Sequence, residues 1–154
     1  MNSHRHSLLL AAVIACLNLA SGEPNAAELT EQEKKDGWKL LFDGVSTKGW
    51  RAIGKPAFPE KGWSVEDGCL KHTAKGGGGD IIANDPYENY ELTLEFKVAP
   101  GTNSGVKYRV EDKPGSAFGP EFQIADDATN SDAKNLKHST GSLYDMIEPK
   151  NETL

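Results

Sequence analysis

Strict alternation of apolar and polar residues in short segments is the feature that most constrains the fold of this chain. The clearest segment covers residues 91–98, where leucine, phenylalanine or valine occupies every second position. The same pattern recurs over residues 106–110 and 121–125. A two-residue period places alternate side chains on opposite faces of a β-strand. The pattern therefore predicts antiparallel strands with one face toward a core and the other toward water or a ligand.

Shorter apolar runs, bounded by turn residues, occupy most of the remaining sequence beyond Gly37. They predict further strands over residues 39–42, 63–65, 69–72, 80–83 and 142–146. Only a short helix over residues 30–35 is expected. The sequence thus predicts an all-β sandwich or jelly roll, although the strands counted are too few to cover both faces of such a fold.

The first residues have the composition of an export signal. Arg5 lies between two histidines, and residues 8–20 form an apolar run that is too short to span a bilayer. Small side chains favour cleavage after Gly22. We expect residues 1–22 to be a signal peptide, residues 23–36 a tether, and residues 37–154 the folded domain.

Removal of this leader would leave no transmembrane segment and would place the protein in the periplasm or outside the cell. Residues 13–16 loosely match a lipoprotein cleavage box, but apolar residues follow Cys16 where a polar tether would normally begin. Export without a lipid anchor is therefore the favoured expectation. Cys69 would remain as a single thiol, which leaves no internal disulfide, and it is expected to be a small buried side chain.

The overall charge limits the class of partner. The chain has 23 acidic and 17 basic residues and a formal net charge of −6 at pH 7. Nucleic acids and anionic lipids bind basic surfaces. We therefore expect no nucleic-acid partner.

Two motifs that suggest ligand binding have a simpler structural explanation. The glycines at residues 76–79 are followed by neither Lys-Ser/Thr nor a helix, so they predict a plain mobile loop rather than a phosphate cradle. The indoles of Trp38, Trp50 and Trp63 could stack on sugar rings. Because aromatic residues near strand starts usually pack into a core, a structural role is expected for each.

Polar side chains on the alternating strands form the strongest candidate site. Amide, guanidinium and carboxylate groups predominate there, and sugar hydroxyls need such two-way hydrogen bonding. The simpler alternative is an exposed sheet face with weak surface ion pairs. The members of the set are Asn103, Lys107, Arg109, Glu121, Gln123, Tyr144 and Asp145.

Two loop residues are further candidates. His138 follows an acidic segment and could serve as a base or a metal ligand. Asp126 begins an oxygen-rich loop that could hold a divalent metal such as calcium. The spacing of that loop misses the EF-hand pattern, so a solvated turn is the simpler interpretation.

Five short phrases follow one another in a characteristic order between Gly37 and Leu154. They are Trp38-Lys-Leu-Leu-Phe-Asp-Gly44 with Gly49-Trp50, Trp63-Ser-Val-Glu-Asp-Gly-Cys-Leu70, Asn103-Ser-Gly-Val106 with Arg109, Glu121-Phe-Gln-Ile124 with Asp126, and Thr140-Gly-Ser-Leu-Tyr144. In this order they resemble the bacterial 3-keto-disaccharide hydrolase family. The resemblance implies a concanavalin A-like, two-sheet antiparallel β-sandwich, here without the last strands of the family.

The resemblance also implies cleavage of glycosides that carry a ketone at C3. Such a ketone acidifies the C2 proton, so a base can remove it while the C1 aglycone departs, and hydration then completes net hydrolysis. The reaction needs a base near C2, a group that polarises the C3 oxygen, and an acid near the glycosidic oxygen. A divalent metal could supply the polarisation.

Polarity and strand facing lead to hypothetical roles for the candidate residues. We expect Glu121 to be the base or a metal ligand, Arg109 to stabilise the enolate or orient a carboxylate, and Tyr144 or His138 to be the acid. Substrate hydroxyls would be bound by Asn103, Lys107, Gln123 and Asp145.

Three other functions remain open at this point. A non-catalytic, lectin-like module could bind glycans on the same face, and a perturbed pKa there would favour an enzyme instead. A retaining glycosidase would need two carboxylates about 5 Å apart, whereas residues 121–125 offer a glutamate and then a glutamine. An inactive truncated fragment is the third alternative, because an incomplete sandwich exposes unpaired edges.

Overall fold

The computed structural model describes residues 8–11, 27–115 and 117–150. The expected signal-peptide cleavage site and the lipoprotein box lie outside the described residues. Within those residues most of the regular structure is β-strand. In chain order the elements are β1 (Leu8–Ala11), α1 (Glu31–Lys35), β2 (Trp50–Ala52), β3 (Trp63–Glu66), β4 (Cys69–His72), β5 (Ile81–Ala83), β6 (Tyr90–Thr93), β7 (Asn103–Lys107) and β8 (Glu121–Ala125), followed by 3₁₀ turns at Asp132–Lys134 and Leu136–His138.

The strands pair two by two and mainly in the antiparallel sense. Antiparallel pairs join β2 to β5, β3 to β4 and β7 to β8, whereas β1 is parallel to β6. The turn between β3 and β4 has positive φ at both Asp67 (50°) and Gly68 (73°), the geometry that matches the twist of a two-residue hairpin. The prediction of a β-rich, antiparallel protein is therefore confirmed.

The one α-helix of the described residues begins at a capping box. The hydroxyl of Thr30 accepts a hydrogen bond from the Glu33 backbone N–H at 3.2 Å, and the Glu33 carboxylate accepts one from the Thr30 N–H at 2.7 Å. These two bonds satisfy backbone donors that a helix start would otherwise leave without partners. The short helix predicted at residues 30–35 is thus confirmed. The described residues contain no helix with the length and apolar character needed to cross a membrane.

The chain forms two compact units, Met1–Glu95 and Phe96–Leu154. Phe42, Ala52 and Ile53 are buried in the first unit. The indoles of Trp50 and Trp63 each donate a hydrogen bond to a backbone carbonyl of this unit, at 2.7 and 2.8 Å, in keeping with structural roles. The second unit buries both apolar and polar residues. The apolar ones are Ala117, Ile124, Ala125 and Ala133, and the polar ones are Gln123, Ser139, Thr140 and Ser142.

Two predicted strands are displaced or shortened. Residues 94–98 continue the alternating pattern, but β6 ends at Thr93, where its pairing with β1 also ends. Residues 106–110 were expected to form a strand, whereas β7 runs from Asn103 to Lys107. Arg109 adopts a left-handed conformation (φ 53°), which is incompatible with continued extension of the strand. At Arg109 the local backbone geometry therefore overrides the alternation.

Other expectations are also corrected. Residues 39–42 and 142–146 do not form strands; the second segment is a tight turn with a left-handed residue at Asp145 (φ 58°). The strand Trp50–Ala52 was not predicted. The thiol of Cys69 is half-buried rather than buried, because β4 lies at the surface.

The glycine run at residues 76–79 is packed rather than loose. A Cβ atom on Gly62 would collide with the Gly77 carbonyl, and one on Gly78 would collide with the Lys61 carbonyl. The Thr73 N–H also donates to the Gly62 carbonyl at 2.8 Å. The segment is a loop, as predicted, and Gly62 and Gly78 are needed where two backbone segments approach closely.

Candidate functional site

The second compact unit carries a ladder of three backbone segments. β7 and β8 pair directly, and Leu143 forms an antiparallel bridge with Phe122 on the other edge of β8. The Gln123 N–H donates to the Ser142 carbonyl, and the Tyr144 N–H donates to the Glu121 carbonyl, both at 3.0 Å. The segment around Leu143 thus extends the two-stranded pair by a short third segment.

The register of this ladder gathers polar residues on one face. Lys107 pairs with Glu121, and Gly105 pairs with Gln123. Tyr144 lies near Glu121, since the Glu121 carboxylate contributes to the raised pKa of the Tyr144 hydroxyl. Arg109 lies beyond the end of β7, so this register does not place it with the others.

Glu121 and Lys107 form the centre of the polar face. Their side chains retain 23% and 29% of their exposure, and Lys107 Nζ lies 3.6 Å from Glu121 Oε2. The Glu121 carboxyl group also lies where a Cβ atom on Gly105 would be. The missing side chain of Gly105 therefore lets the carboxylate lie across the sheet, beside a cation and accessible to a ligand.

The amides of Gln123 and Asn103 form a pair on the same face. Gln123 Nε2 donates to Asn103 Oδ1 at 3.1 Å. Gln123 is only 1% exposed and its Oε1 is buried with no hydrogen-bond partner among the described residues, whereas Asn103 is exposed. The two residues expected to bind hydroxyl groups thus differ in their exposure to a ligand. Asn103 is accessible to a ligand, whereas the buried Gln123 orients the Asn103 amide through its hydrogen bond.

The opposite face of the ladder is apolar and incompletely covered in the described residues. Tyr108, Phe122, Leu143 and Ile147 line an open cleft there. Phe122 was expected to be buried, but it is 39% exposed, and Ile147 is 54% exposed. The expected burial is therefore wrong at two positions of β8, because Phe122 is exposed and Gln123 is buried, whereas Ile124 is buried as the alternation predicts.

A network of four polar side chains includes Tyr144, whose backbone N–H donates to the Glu121 carbonyl. His138 Nδ1 is 2.8 Å from Asp132 Oδ1, and His138 Nε2 is 3.2 Å from Asp145 Oδ1. The hydroxyl of Tyr144 donates to Asp132 Oδ2 at 3.0 Å. The rings of His138 and Tyr144 stack, with centroids 4.5 Å apart. Asp132 therefore holds both aromatic side chains with its two carboxylate oxygens.

Hydrogen bonding shifts the titration of this network. The hydrogen bonds from His138 and then Tyr144 lower the pKa of Asp132. The bonds to Asp132 and then Asp145 raise the pKa of His138, because they stabilise the imidazolium ion. The bond to Asp132 also raises the pKa of Tyr144, with smaller contributions from burial and from nearby carboxylates that include Glu121. The protonated histidine is thus favoured beside an ionised aspartate.

Asp126 stabilises its own loop. Its Oδ2 accepts hydrogen bonds from the Gly101 N–H, at 2.8 Å, and from the Thr129 hydroxyl, while its Oδ1 accepts from the Ala128 N–H at 3.2 Å. The Thr129 bond is the main cause that lowers the pKa of Asp126. Among the described residues no three His, Cys, Asp or Glu side chains converge to hold a metal ion. Both carboxylate oxygens of Asp126 thus accept hydrogen bonds within this region, and a metal ion at Asp126 stays a prediction.

Two residues of this site were not anticipated from the sequence. Asp132 lies in the oxygen-rich loop that begins at Asp126, Gly105 lies within the phrase Asn103-Ser-Gly-Val106, and the sequence suggests no role for either. The six-residue spacing between Asp132 and His138 gives no signal by itself, because the 3₁₀ turns of the loop bring the two side chains together.

Comparisons with known proteins agree with these features. A model of the family described as the 3-keto-alpha-glucoside-1,2-lyase-like domain matches residues 37–154. A 3-keto-disaccharide hydrolase of Bacteroides thetaiotaomicron is 39% identical over 134 residues, which cover 73% of this chain and 46% of that protein. The chain thus spans about half the length of this relative.

A solved structure has the same fold. The crystal structure of a protein from Parabacteroides distasonis, described as a glycosyl hydrolase, aligns with a TM-score of 0.64 at 29% sequence identity. The alignment covers 82% of this chain and 62% of that one. The family match extends over more than half of the sequence. This chain therefore belongs to the 3-keto-alpha-glucoside-1,2-lyase-like family.

Proposed function

We propose that this domain cleaves glycosides already oxidised to a ketone at C3. The observation that carries the proposal is the position of Glu121, a half-buried carboxylate beside Lys107 on the polar face of a family member. The relative named a 3-keto-disaccharide hydrolase supports the substrate class. Because the chain spans only part of that relative, its activity is a matter for direct experiment.

The proposed chemistry is elimination followed by hydration. Glu121 removes the C2 proton, and the electron pair of the C2–H bond forms a C1=C2 double bond conjugated with the C3 ketone. The bond from C1 to the aglycone oxygen breaks, and a general acid protonates that oxygen. Water then adds its hydroxyl to C1 and its proton to C2, so the products are the free aglycone and a 3-keto sugar.

Other side chains of the face complete these roles. Lys107, 3.6 Å from Glu121, is placed to stabilise the enolate, the role first expected of Arg109. Asn103 presents an exposed amide that can bind a hydroxyl, and the acid comes from the His138 and Tyr144 pair. These roles are assigned to side chains of the protein, and a metal ion that polarises the C3 oxygen stays a prediction.

We further propose that the strands belong to a concanavalin A-like two-sheet sandwich. The β-rich structure and the 0.64 TM-score to a glycosyl hydrolase support this architecture. Export, through cleavage after Gly22, is proposed from the composition of the leader. Amino-terminal sequencing of protein secreted by a bacterial host would test the cleavage site, and an uncut amino terminus would contradict it.

The function can be tested with paired glycosides that differ only in C3 oxidation. The protein is incubated with each, with and without a chelator, and release of the aglycone is followed. We expect release from the keto form alone, and a loss of that release with the chelator would add a metal ion to the scheme. Release from the unoxidised form would favour an ordinary glycosidase, and binding without release would favour a lectin-like module.

A further inference from the structure

We infer that Asp132 is a positioning residue that assigns the general-acid role to His138 rather than to Tyr144. This inference rests on the proposed function and makes it more specific. It depends on the two bonds that Asp132 makes: Oδ1 to His138 Nδ1 at 2.8 Å, and Oδ2 from the Tyr144 hydroxyl at 3.0 Å.

The proton of the Tyr144 hydroxyl is already engaged in a hydrogen bond. A tyrosine hydroxyl has one proton, and Tyr144 donates it to the Asp132 carboxylate. The phenol oxygen can then offer only lone pairs to a ligand. Tyr144 is therefore placed to accept a hydrogen bond, which is the opposite of what a general acid must do.

The imidazole of His138 is bonded to Asp132 through Nδ1. Because Asp132 occupies the Nδ1 side, the Nε2 atom is left as the nitrogen that can exchange a proton with a substrate. The stacked Tyr144 ring, 4.5 Å away, fixes the plane of the imidazole. His138 itself is held firmly, with 16% of its side chain exposed.

Two other side chains lie close to His138 Nε2. Asp145 lies 3.2 Å from Nε2, and Asn135 Nδ2 lies 3.4 Å from it. The Asp145 side chain is 74% exposed and lies in a turn, so a substrate can displace it at little cost. The charged or titratable groups that face His138 are thus Asp132, Asp145 and Tyr144, and Asp132 is the one that also holds its neighbour.

The kinetic test uses leaving groups of different acidity. An alkyl 3-keto-glycoside needs an acid to protonate its leaving oxygen, whereas a 4-nitrophenyl 3-keto-glycoside needs little help. We expect His138→Gln to reduce kcat about 10²- to 10⁴-fold on the alkyl substrate and much less on the aryl one. Asp132→Asn should likewise reduce kcat more on the alkyl substrate than on the aryl one, with a loss of about ten- to hundredfold on the alkyl substrate.

The comparison variant is Tyr144→Phe, which keeps Asp132 and His138. We expect this variant to lose a similar factor in kcat on the alkyl and the aryl substrate, because Tyr144 does not protonate the leaving group. A loss confined to the alkyl substrate in Tyr144→Phe, or an equal loss on both in Asp132→Asn, would overturn the inference. Asp112→Asn, which changes an exposed carboxylate of the same unit, controls for nonspecific effects.

A spectroscopic measurement separates this inference from the proposed function. Nitrogen NMR of His138 in the whole chain should show the Nδ1–H tautomer when the ring is neutral, and titration should give a lower pKa in Asp132→Asn than in the wild type. An Nε2–H ring in the wild type, or identical titrations, would refute the positioning role. If the wild type cleaves no 3-keto-glycoside, the proposed function fails, and this measurement still decides what Asp132 does. Asp132→Glu, which keeps the charge, serves if the amide variant fails to fold.

Discussion

The carboxyl group of Glu121 occupies the space that a Cβ atom on Gly105 would fill. The two residues lie on neighbouring strands, with Gly105 opposite Gln123 and Glu121 opposite Lys107. The contact is diagonal across the pair, and it brings the carboxylate over the sheet surface. A residue without a side chain therefore sets the position of the proposed base.

Gly105→Ala should displace that carboxylate. All three nearest atoms to the added Cβ belong to the flexible end of Glu121, so the side chain can move away. We expect a loss of stability of about 1–3 kcal/mol, the usual range for overpacking, together with a loss of at least about tenfold in kcat. Urea unfolding and aglycone release measure the two effects. Unchanged activity would mean that the position of the carboxylate is unimportant.

Glu121→Gln should remove the base while keeping the shape of the side chain. We expect kcat on the keto substrate to fall about 10²- to 10⁴-fold, because proton abstraction is lost. Glu111→Gln, an exposed carboxylate that pairs with Lys113 in the same unit, is the matched control. If both variants keep their activity, Glu121 has no role in proton transfer.

Gln123→Met should be tolerated by the fold. The native amide donates one hydrogen bond to Asn103, and its oxygen is buried with no partner in the part of the chain that the structure describes. An apolar side chain of similar length removes the cost of burying that oxygen. We expect the free energy of unfolding to change by less than about 1 kcal/mol in either direction. KM should rise because the exposed Asn103 amide is no longer oriented. A destabilisation well above this limit, measured by urea unfolding, would indicate that Oε1 has a partner in solution.

The His138 network should make stability depend on pH. Because the folded-state pKa of His138 is raised, its contribution is fully present below the unfolded value of about 6.5 and is lost as pH rises through the folded value. The lowered pKa of Asp132 gives a contribution that is present above about pH 4 and is lost as pH falls through its folded value. The pair therefore stabilises most between about pH 4 and about pH 6.5.

The measurement is the urea midpoint of the wild type and of His138→Gln across this range. We expect the difference between the two proteins to be larger at about pH 5.5 than at about pH 8.5. A difference that is constant, or that grows with pH, would show that the imidazolium ion does not stabilise the fold.

Much of the fold could be predicted from local sequence pattern. Cys69–His72 and Glu121–Ala125 form strands with the predicted bounds, because alternation or turn residues mark both ends. Prediction failed where one residue has an unusual backbone conformation, as at Arg109 and Asp145. Composition does not encode a positive φ in such residues, since the surrounding loop imposes it.

The part of the candidate site that lies on paired strands could be predicted from the sequence, and the part that depends on loops could not. A two-residue period is sufficient to bring Lys107, Glu121 and Gln123 to one face once their strands pair. The contact between Asp132 and His138 depends on the path of a loop with two 3₁₀ turns, and the contact of Gly105 with Glu121 depends on a missing side chain. Neither leaves a signal in a single sequence.

The central claim, that a base removes the C2 proton of a 3-keto-glycoside, is tested most directly by running the reaction in heavy water. Mass spectrometry and NMR of the released sugar would locate deuterium, with the ketone incubated alone as the correction for spontaneous exchange. Elimination and hydration predict solvent deuterium at C2 whenever an aglycone is released. A released sugar that keeps its original hydrogen at C2 would contradict the account.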